Sequence, residues 1–335
     1  MKETLATIAE RTGFSITTIS RVLSGKAEKY RISKNTAAII IAEAKKRNYT
    51  PSFAAQSLRT NKTNTIGLLL PSVANPYFAN MSSVIISEAK NRNFTTIVLD
   101  SMENEENQNS GAKILLSRRV DGIIAAPCGA DASMLEKINT NIPVILIDRH
   151  YENSKLPCVT TNNYKGGKDA TSILISSGHK NIACIQGVIT SLPNKRRVKG
   201  YLDALKEAGL DKYATVVGNN FSVQNGYVET KLLMEKTPRP TAIFALSNTI
   251  VLGAIKAIRE TELKIPEDIS IISFDNNIYF DYMTPAISRV SQPVEEMSKL
   301  ATKLLFECID QKKRITSHLE IAPSIIRRNS IAIIR

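Results

Sequence analysis

A chain of 335 residues, 43% of them hydrophobic, is long enough for two or three domains with buried cores. Its longest apolar runs are only strand-length, and Met1-Lys2-Glu3-Thr4 is no apolar leader, so neither a membrane span nor a signal region is expected, and a cytoplasmic protein is. The net charge of +13 points to a polyanionic partner, because residues 1–62 hold twelve Lys and Arg against four Glu, whereas the remainder holds 32 basic against 27 acidic residues.

Leu5, Ile8, Ala9 and Thr12 share one face of a first helix. Gly13 supplies the positive-φ residue that ends it, and Ser15 caps a second helix. On that helix Ile19, Val22 and Leu23 point inward, while Thr17, Ser20, Arg21 and Ser24 form a stripe of small donors on the other side. Spacing alone is compatible with an ordinary amphipathic pair or with a helix-turn-helix, whose second helix enters a DNA groove. Clustered charge favours the latter. So does a third helix, with Ser33 as cap, Ala37, Ile40, Ile41 and Ala44 buried, and Lys45-Lys46-Arg47 at the negative end of its dipole. Residues 51–59, with small side chains and one leucine, then polar 60–64, read as a short conditional helix on a linker.

Beyond the linker the pattern changes to apolar strands alternating with helices. Strands are expected at 65–70, 96–100, 122–126 and 144–148, then 182–185, 215–217, 242–246 and 269–274, with final strands near 319–322 and 330–334. Helices are expected at 77–91, 108–118, 168–177, 197–208, 227–234, 249–259 and 294–309. Strands apolar on both faces indicate parallel sheets covered by helices, and the theme restarts midway. Ligands of such sheets bind beyond the carboxyl ends of the strands. The strand-end groups Asn75-Pro76-Tyr77-Phe78, Asp148-Arg149 and Asp275-Asn276 are therefore cleft candidates, or else Asp148 and Asp275 cap turns.

Signs of other chemistry are weak. Gly166-Gly167-Lys168 is too short for a Walker loop. His150, His179 and His318 lack metal-ligand spacing, and His179 in a helix-end turn reads as a capping residue. Cys128, Cys158, Cys184 and Cys308 read as reduced core residues. With no catalytic cluster, an enzyme, a cofactor and a metal are not expected.

The run Thr18-Ile-Ser-Arg-Val-Leu-Ser-Gly25, with Asn48-Tyr49-Thr50-Pro51 and Ser57-Leu58-Arg59-Thr60, resembles the lactose/galactose repressor (LacI/GalR) family of bacterial transcription regulators. The likeness continues at residues 75–79, 118–124, 147–149, 178–183, 197–201, 266–270 and at Gln292-Pro293, so it spans nearly the whole chain. It implies an all-α helix-turn-helix headpiece (1–50), a hinge helix and linker (51–63), and a two-lobed α/β effector domain like the periplasmic binding proteins (64–335), with two doubly wound parallel sheets. One lobe is expected at about 64–160 and 292–324, the other at about 161–291 and 325–335. The implied function is a homodimeric repressor on a pseudo-palindromic double-stranded operator, controlled by a carbohydrate or its derivative.

The same resemblance assigns residues. Ile16, Thr17 and Arg21 would face bases; Ser15, Thr18 and Ser20 would meet phosphates; Leu58 would wedge into the minor groove. Thr4, Ser24 and Ala55 join the DNA-facing set, and Lys29, Tyr30 and Arg31, in a longer and more basic loop than the family's, would either add backbone contacts or stay solvated. Tyr77, Phe78, Asp148, Arg197, Phe221, Ser247 and Asp275 would line the effector cleft, with Phe221 stacking. The chain departs from the family where Ser247-Asn248 replaces the usual Asn-Asp and Asn162-Asn163 the usual Asp-Asn. A periplasmic-type sugar-binding protein and an α/β sugar-modifying enzyme are the rival readings.

Overall fold

The computed structural model describes residues 3–49, 62–311 and 316–334, and the chain divides into two compact units, Met1–Thr63 and Asn64–Arg335. In the first, α1 (Leu5–Thr12) is opened by a capping box between Thr4 and Thr7 and closed by Gly13 at φ 71°, whose N–H donates to the Ala9 carbonyl. The turn leads to α2 (Ile16–Leu23), where Ser15 Oγ accepts from the Thr18 amide at 3.1 Å. Next come one 3₁₀ turn, Glu28–Tyr30, and α3 (Lys34–Lys46), capped by Ser33. Ile8, Ile19, Val22, Ile40 and Ala44 form the core that locks the three helices together. Ile41, expected inside, is 47% exposed: the buried stripe of α3 runs through Ala37, Ile40 and Ala44, and Ile41 falls at its edge.

The second unit holds two six-stranded sheets. In the first, β1 (Thr65–Leu70), β2 (Thr95–Asp100), β3 (Gly122–Ala125), β4 (Val144–Ile147), β5 (Cys158–Thr161) and β11 (His318–Ile321) lie in the order β11-β5-β4-β3-β1-β2, all parallel. In the second, β6 (Ile182–Ile185), β7 (Thr215–Val217), β8 (Ala242–Ala245), β9 (Ser270–Phe274), β10 (Ser288–Ser291) and β12 (Ser324–Ile326) repeat that order as β12-β10-β9-β8-β6-β7, with β12 alone antiparallel. The covering helices are α4 (Pro76–Asn91), α5 (Glu105–Ser117), α6 (Ser133–Asn139), α7 (Asn163–Ser176), α8 (Leu192–Glu207), α9 (Val223–Met234), α10 (Asn248–Arg259) and α11 (Val294–Gln311). This is the two-lobed α/β architecture that the alternation of elements predicts. The chain changes sheets after β5, after β10 and between β11 and β12.

Several boundaries moved for identifiable reasons. Strands β5 and β10 carry no apolar signal in the sequence because Thr160, Thr161, Ser288 and Arg289 are polar although buried. The terminal strand is β12, not 330–334, although that segment runs alongside β9 and is held by it: the Ile271 amide donates to the Ser330 carbonyl at 2.8 Å. Helix α7 begins five residues earlier than expected, at Asn163, so Gly166 and Gly167 lie inside a helix. A Cβ on Gly167 would sit 2.3 Å from the Arg197 carbonyl, and one on Gly200 would sit 2.3 Å from the Tyr164 carbonyl. The glycines let α7 and α8 touch backbone to backbone, a packing role rather than a phosphate-binding one.

Candidate functional site

Two sets of side chains qualify. On the headpiece, the α2 face opposite the core carries exposed Ile16, Thr17 and Arg21, with Thr18, Ser20 and Ser24 half-buried beside them. Ser15 and Thr18 bond each other at 2.9 Å, so both hydroxyls are oriented by the helix start. Thr4 is exposed at the start of α1. The basic loop is ordered: the Lys26 amide donates to the Arg21 carbonyl at 2.9 Å and the Ile32 amide to the Ala27 carbonyl at 2.9 Å. This folding back places Tyr30 under Arg21, whose guanidinium lies 4.0 Å from the ring centroid. Lys29 and Arg31 flank that ring, both exposed. Ala55 and Leu58 lie outside the described residues.

In the second unit the strand-end residues converge between the lobes. From the first lobe come Tyr77 and Phe78 at the start of α4 and Asp148 after β4; from the second come Arg197 on α8, Phe221 before α9, Ser247 at the cap of α10 and Asp275 after β9. All seven line one cavity. Asp148 (φ 65°) and Asp275 (φ 75°) occupy corresponding positions of the two sheets and share a left-handed backbone, a conformation Asp tolerates and one that often marks functional strand ends.

The side chains close on one another. Tyr77 Oη donates to Asp148 Oδ1 at 2.7 Å and lies 3.2 Å from Gln292 Oε1, while Gln292 Nε2 donates to Asp275 Oδ1 at 2.6 Å. Asn248 Nδ2 reaches across to Asn75 Oδ1 at 3.1 Å. Arg149 makes a bidentate pair with Glu103 at 2.6 and 2.7 Å and leans toward the Phe221 ring at 5.9 Å. Arg197 lies 3.7 Å over the Phe274 ring and donates to Asn163 Oδ1 and the Leu246 carbonyl, each at 2.7 Å. The space left is about 30 Å³, far below the ~300–1,000 Å³ of a ligand pocket, so a ligand enters only as the lobes part.

Burial sets the electrostatics. It raises the Asp148 carboxyl above its ordinary range, against the pull of Arg149 and Arg197. It also raises the Tyr77 phenol, which the Asp148 and Asp275 charges raise further, so Tyr77 remains a donor. Burial lowers Arg197, opposed by Asp275 and Asp148. For Arg149 burial likewise works against the charge, but the Glu103 pair outweighs it and the net shift is upward. The lining thus combines charged and polar donors and acceptors with the rings of Phe78 and Phe221.

Ser191, Pro193 and Gln292 line the same cavity. Ser191 is the N-cap of α8 and Pro193 lies in its first turn, since the helix starts five residues ahead of the start at 197 that the sequence suggests, and Gln292 stands out in the sequence only as half of a Gln-Pro motif. The departures have structural uses. Asn248 makes the inter-lobe amide bond, Asn163 holds Arg197, and Asn162 caps α7 while donating to Glu320 at 2.7 Å.

Residues 63–295 match the family model for periplasmic binding proteins and the sugar binding domain of the LacI family. The HTH-type transcriptional repressor PurR of Proteus mirabilis is 32% identical over 334 residues, covering 98% of this chain and 97% of that protein. PurR of Erwinia tasmaniensis is 33% identical over 336 residues, again covering 98% and 97%. Among solved structures, the lac repressor dimer bound to operator and an anti-inducer superposes with a TM-score of 0.89 over 99% of this chain and all of that one, at 22% identity, a likeness of fold. A transcriptional regulator from Enterococcus faecium with bound ribose superposes with a TM-score of 0.74 at 26% identity, covering 81% of this chain and all of its own.

Proposed function

The chain belongs to the LacI family and is a DNA-binding transcriptional regulator rather than an enzyme, and from that premise we propose that it represses transcription as a cytoplasmic homodimer. Residues 1–50 read one half-site of a pseudo-palindromic operator through Ile16, Thr17 and Arg21, while Ser15, Thr18, Ser20 and Lys29 hold phosphates. Residues 51–63, with Ala55 and Leu58, form the hinge that carries the state of the body to the DNA. The effector is a carbohydrate or carbohydrate derivative held between the lobes by Tyr77, Asp148, Arg197 and Asp275, with Phe78 and Phe221 against its apolar faces. The ribose-bound relative supports that class. The observation that carries the reading is the convergence of polar groups from both sheets, at corresponding strand ends, in a chain that also bears a cationic helix-turn-helix.

Two measurements test it. A gel shift with an operator selected from random DNA, run at about 50 and about 200 mM salt, should show steep salt dependence. Arg21→Ala should lose about 1–3 kcal/mol of specific affinity. Binding that ignores both salt and Arg21 sinks the DNA-reading assignment. A thermal-shift screen of sugars, sugar phosphates and purines should raise the melting temperature with sugar concentration. Stabilisation by purines alone would overturn the carbohydrate assignment and leave the repressor standing.

A further inference from the structure

We propose that His150, Cys158 and His318 form a binding site for a thiophilic transition metal, with Zn²⁺ as the best-matched ion. A ring nitrogen of each histidine and the Cys158 thiol sulfur all lie within 4.8 Å of one another. Sequence spacing hid them, because they come from three segments: the loop after β4, the first residue of β5 and the first residue of β11. The parallel pairing of β5 with β11 sets Cys158 directly opposite His318, so their side chains share a face. His150 folds back over that face, its ring 4.4 Å from the His318 ring at 72°.

Two further features point to a ligand. His150 Nδ1 is buried with no hydrogen-bond partner among the described residues, an exception to the rule that buried polar atoms are satisfied. The cluster also borders a cavity of about 450 Å³ that Glu152 and Arg196 line as well. A tetrahedral zinc ion with one sulfur and two nitrogen ligands sets its donors roughly 3.3–3.6 Å apart, which small side-chain rotations would reach from here. The fourth position opens into the cavity, for water or the Glu152 carboxylate. Two imidazoles and one thiolate suit Zn²⁺ and its spectroscopic substitute Co²⁺, and not the hard oxygen-seeking ions. Binding releases the thiol proton to solvent and ties the returning strand β11 to β5 and to the loop after β4.

The test uses untagged, reduced, full-length protein. Titration with Co²⁺ should give a thiolate-to-cobalt charge-transfer band that saturates at one ion per chain and is displaced by Zn²⁺. Cys158→Ser should lose the band. His318→Ala, a change on an exposed side chain, should weaken Zn²⁺ binding by roughly tenfold or more, as loss of a ligand does at least as much as loss of its outer-shell partner. No band in the wild type, or His318→Ala binding within twofold of it, overturns the proposal. The second criterion holds even where Cys158→Ser fails to fold.

Discussion

Arg21, proposed above to read the operator, shows how a single side chain can be prepared for such a task. A long guanidinium arm on an exposed helix face loses rotamer entropy when it binds, and the Tyr30 ring beneath it at 4.0 Å removes part of that freedom in advance. An exposed cation–π contact contributes about 0.5–1 kcal/mol. Tyr30→Ala should therefore weaken operator binding by about two- to fivefold and Tyr30→Phe hardly at all, as read by fluorescence anisotropy. Equal losses in both would assign the effect to the phenolic hydroxyl instead. His179 offers a residue-scale prediction of another kind. Its amide closes α7 on the Leu174 carbonyl, and its ring nitrogen Nδ1 bonds Thr241 Oγ1 at 2.9 Å. Burial lowers its pKa. The unfolded chain therefore binds a proton that the folded one refuses, so this contribution to stability is intact above about pH 6.5 and is lost as pH falls from there toward the lowered folded value. Urea midpoints at pH 7.5 and 5.5 should differ less in His179→Gln than in the wild type. An unchanged difference would refute the assignment.

Elements place the residues. Helices α7 and α8 cross at Gly167 and Gly200, and Arg197 sits in that crossing with its carbonyl against Gly167. A methyl group at Gly167 would push the helices apart, at a cost of about 1–3 kcal/mol, and would carry the guanidinium away from Asp148 and Asp275. Gly167→Ala should thus lower both the urea midpoint and the affinity for effector. A variant as stable as the wild type would mean that the helices re-pack freely. At this scale the apolar strands were legible, since β1, β3, β4, β6, β8 and β9 are runs of Ile, Leu, Val, Phe and Ala with few rivals. The hidden ones, β5 and β10, carry polar residues that are nonetheless buried, several of them satisfied by neighbouring groups: Thr161 Oγ1 donates to the Ile321 carbonyl and Ser288 Oγ to the Arg328 carbonyl.

At the scale of the whole molecule, two sheets of identical strand order present corresponding strand ends to each other. Lobe closure then reduces to a few direct bonds across the gap, of which Asn75 to Asn248 is one. A double-mutant cycle of Asn75→Ala with Asn248→Ala should show a coupling of about 0.5–1.5 kcal/mol in urea unfolding. Additive losses would mean that this bond contributes nothing to closure. The ligand must compete with such bonds, so its measured affinity is its gross interaction less the cost of parting the lobes.

What the amino-acid order determined unaided was local: the capped helices of the headpiece, the apolar strands, the concentration of positive charge and the residues at strand ends. These follow from propensity and periodicity over a few neighbours. The family resemblance already implied that Asp148 and Asp275 share a cleft; only the tertiary structure decided that Tyr30 lies under Arg21, that Gly167 is a helix contact, and that His150, Cys158 and His318 meet. Each of those depends on chain segments brought together by sheet register and lobe crossing, and the burial that then shifts their chemistry is a property of the packed whole.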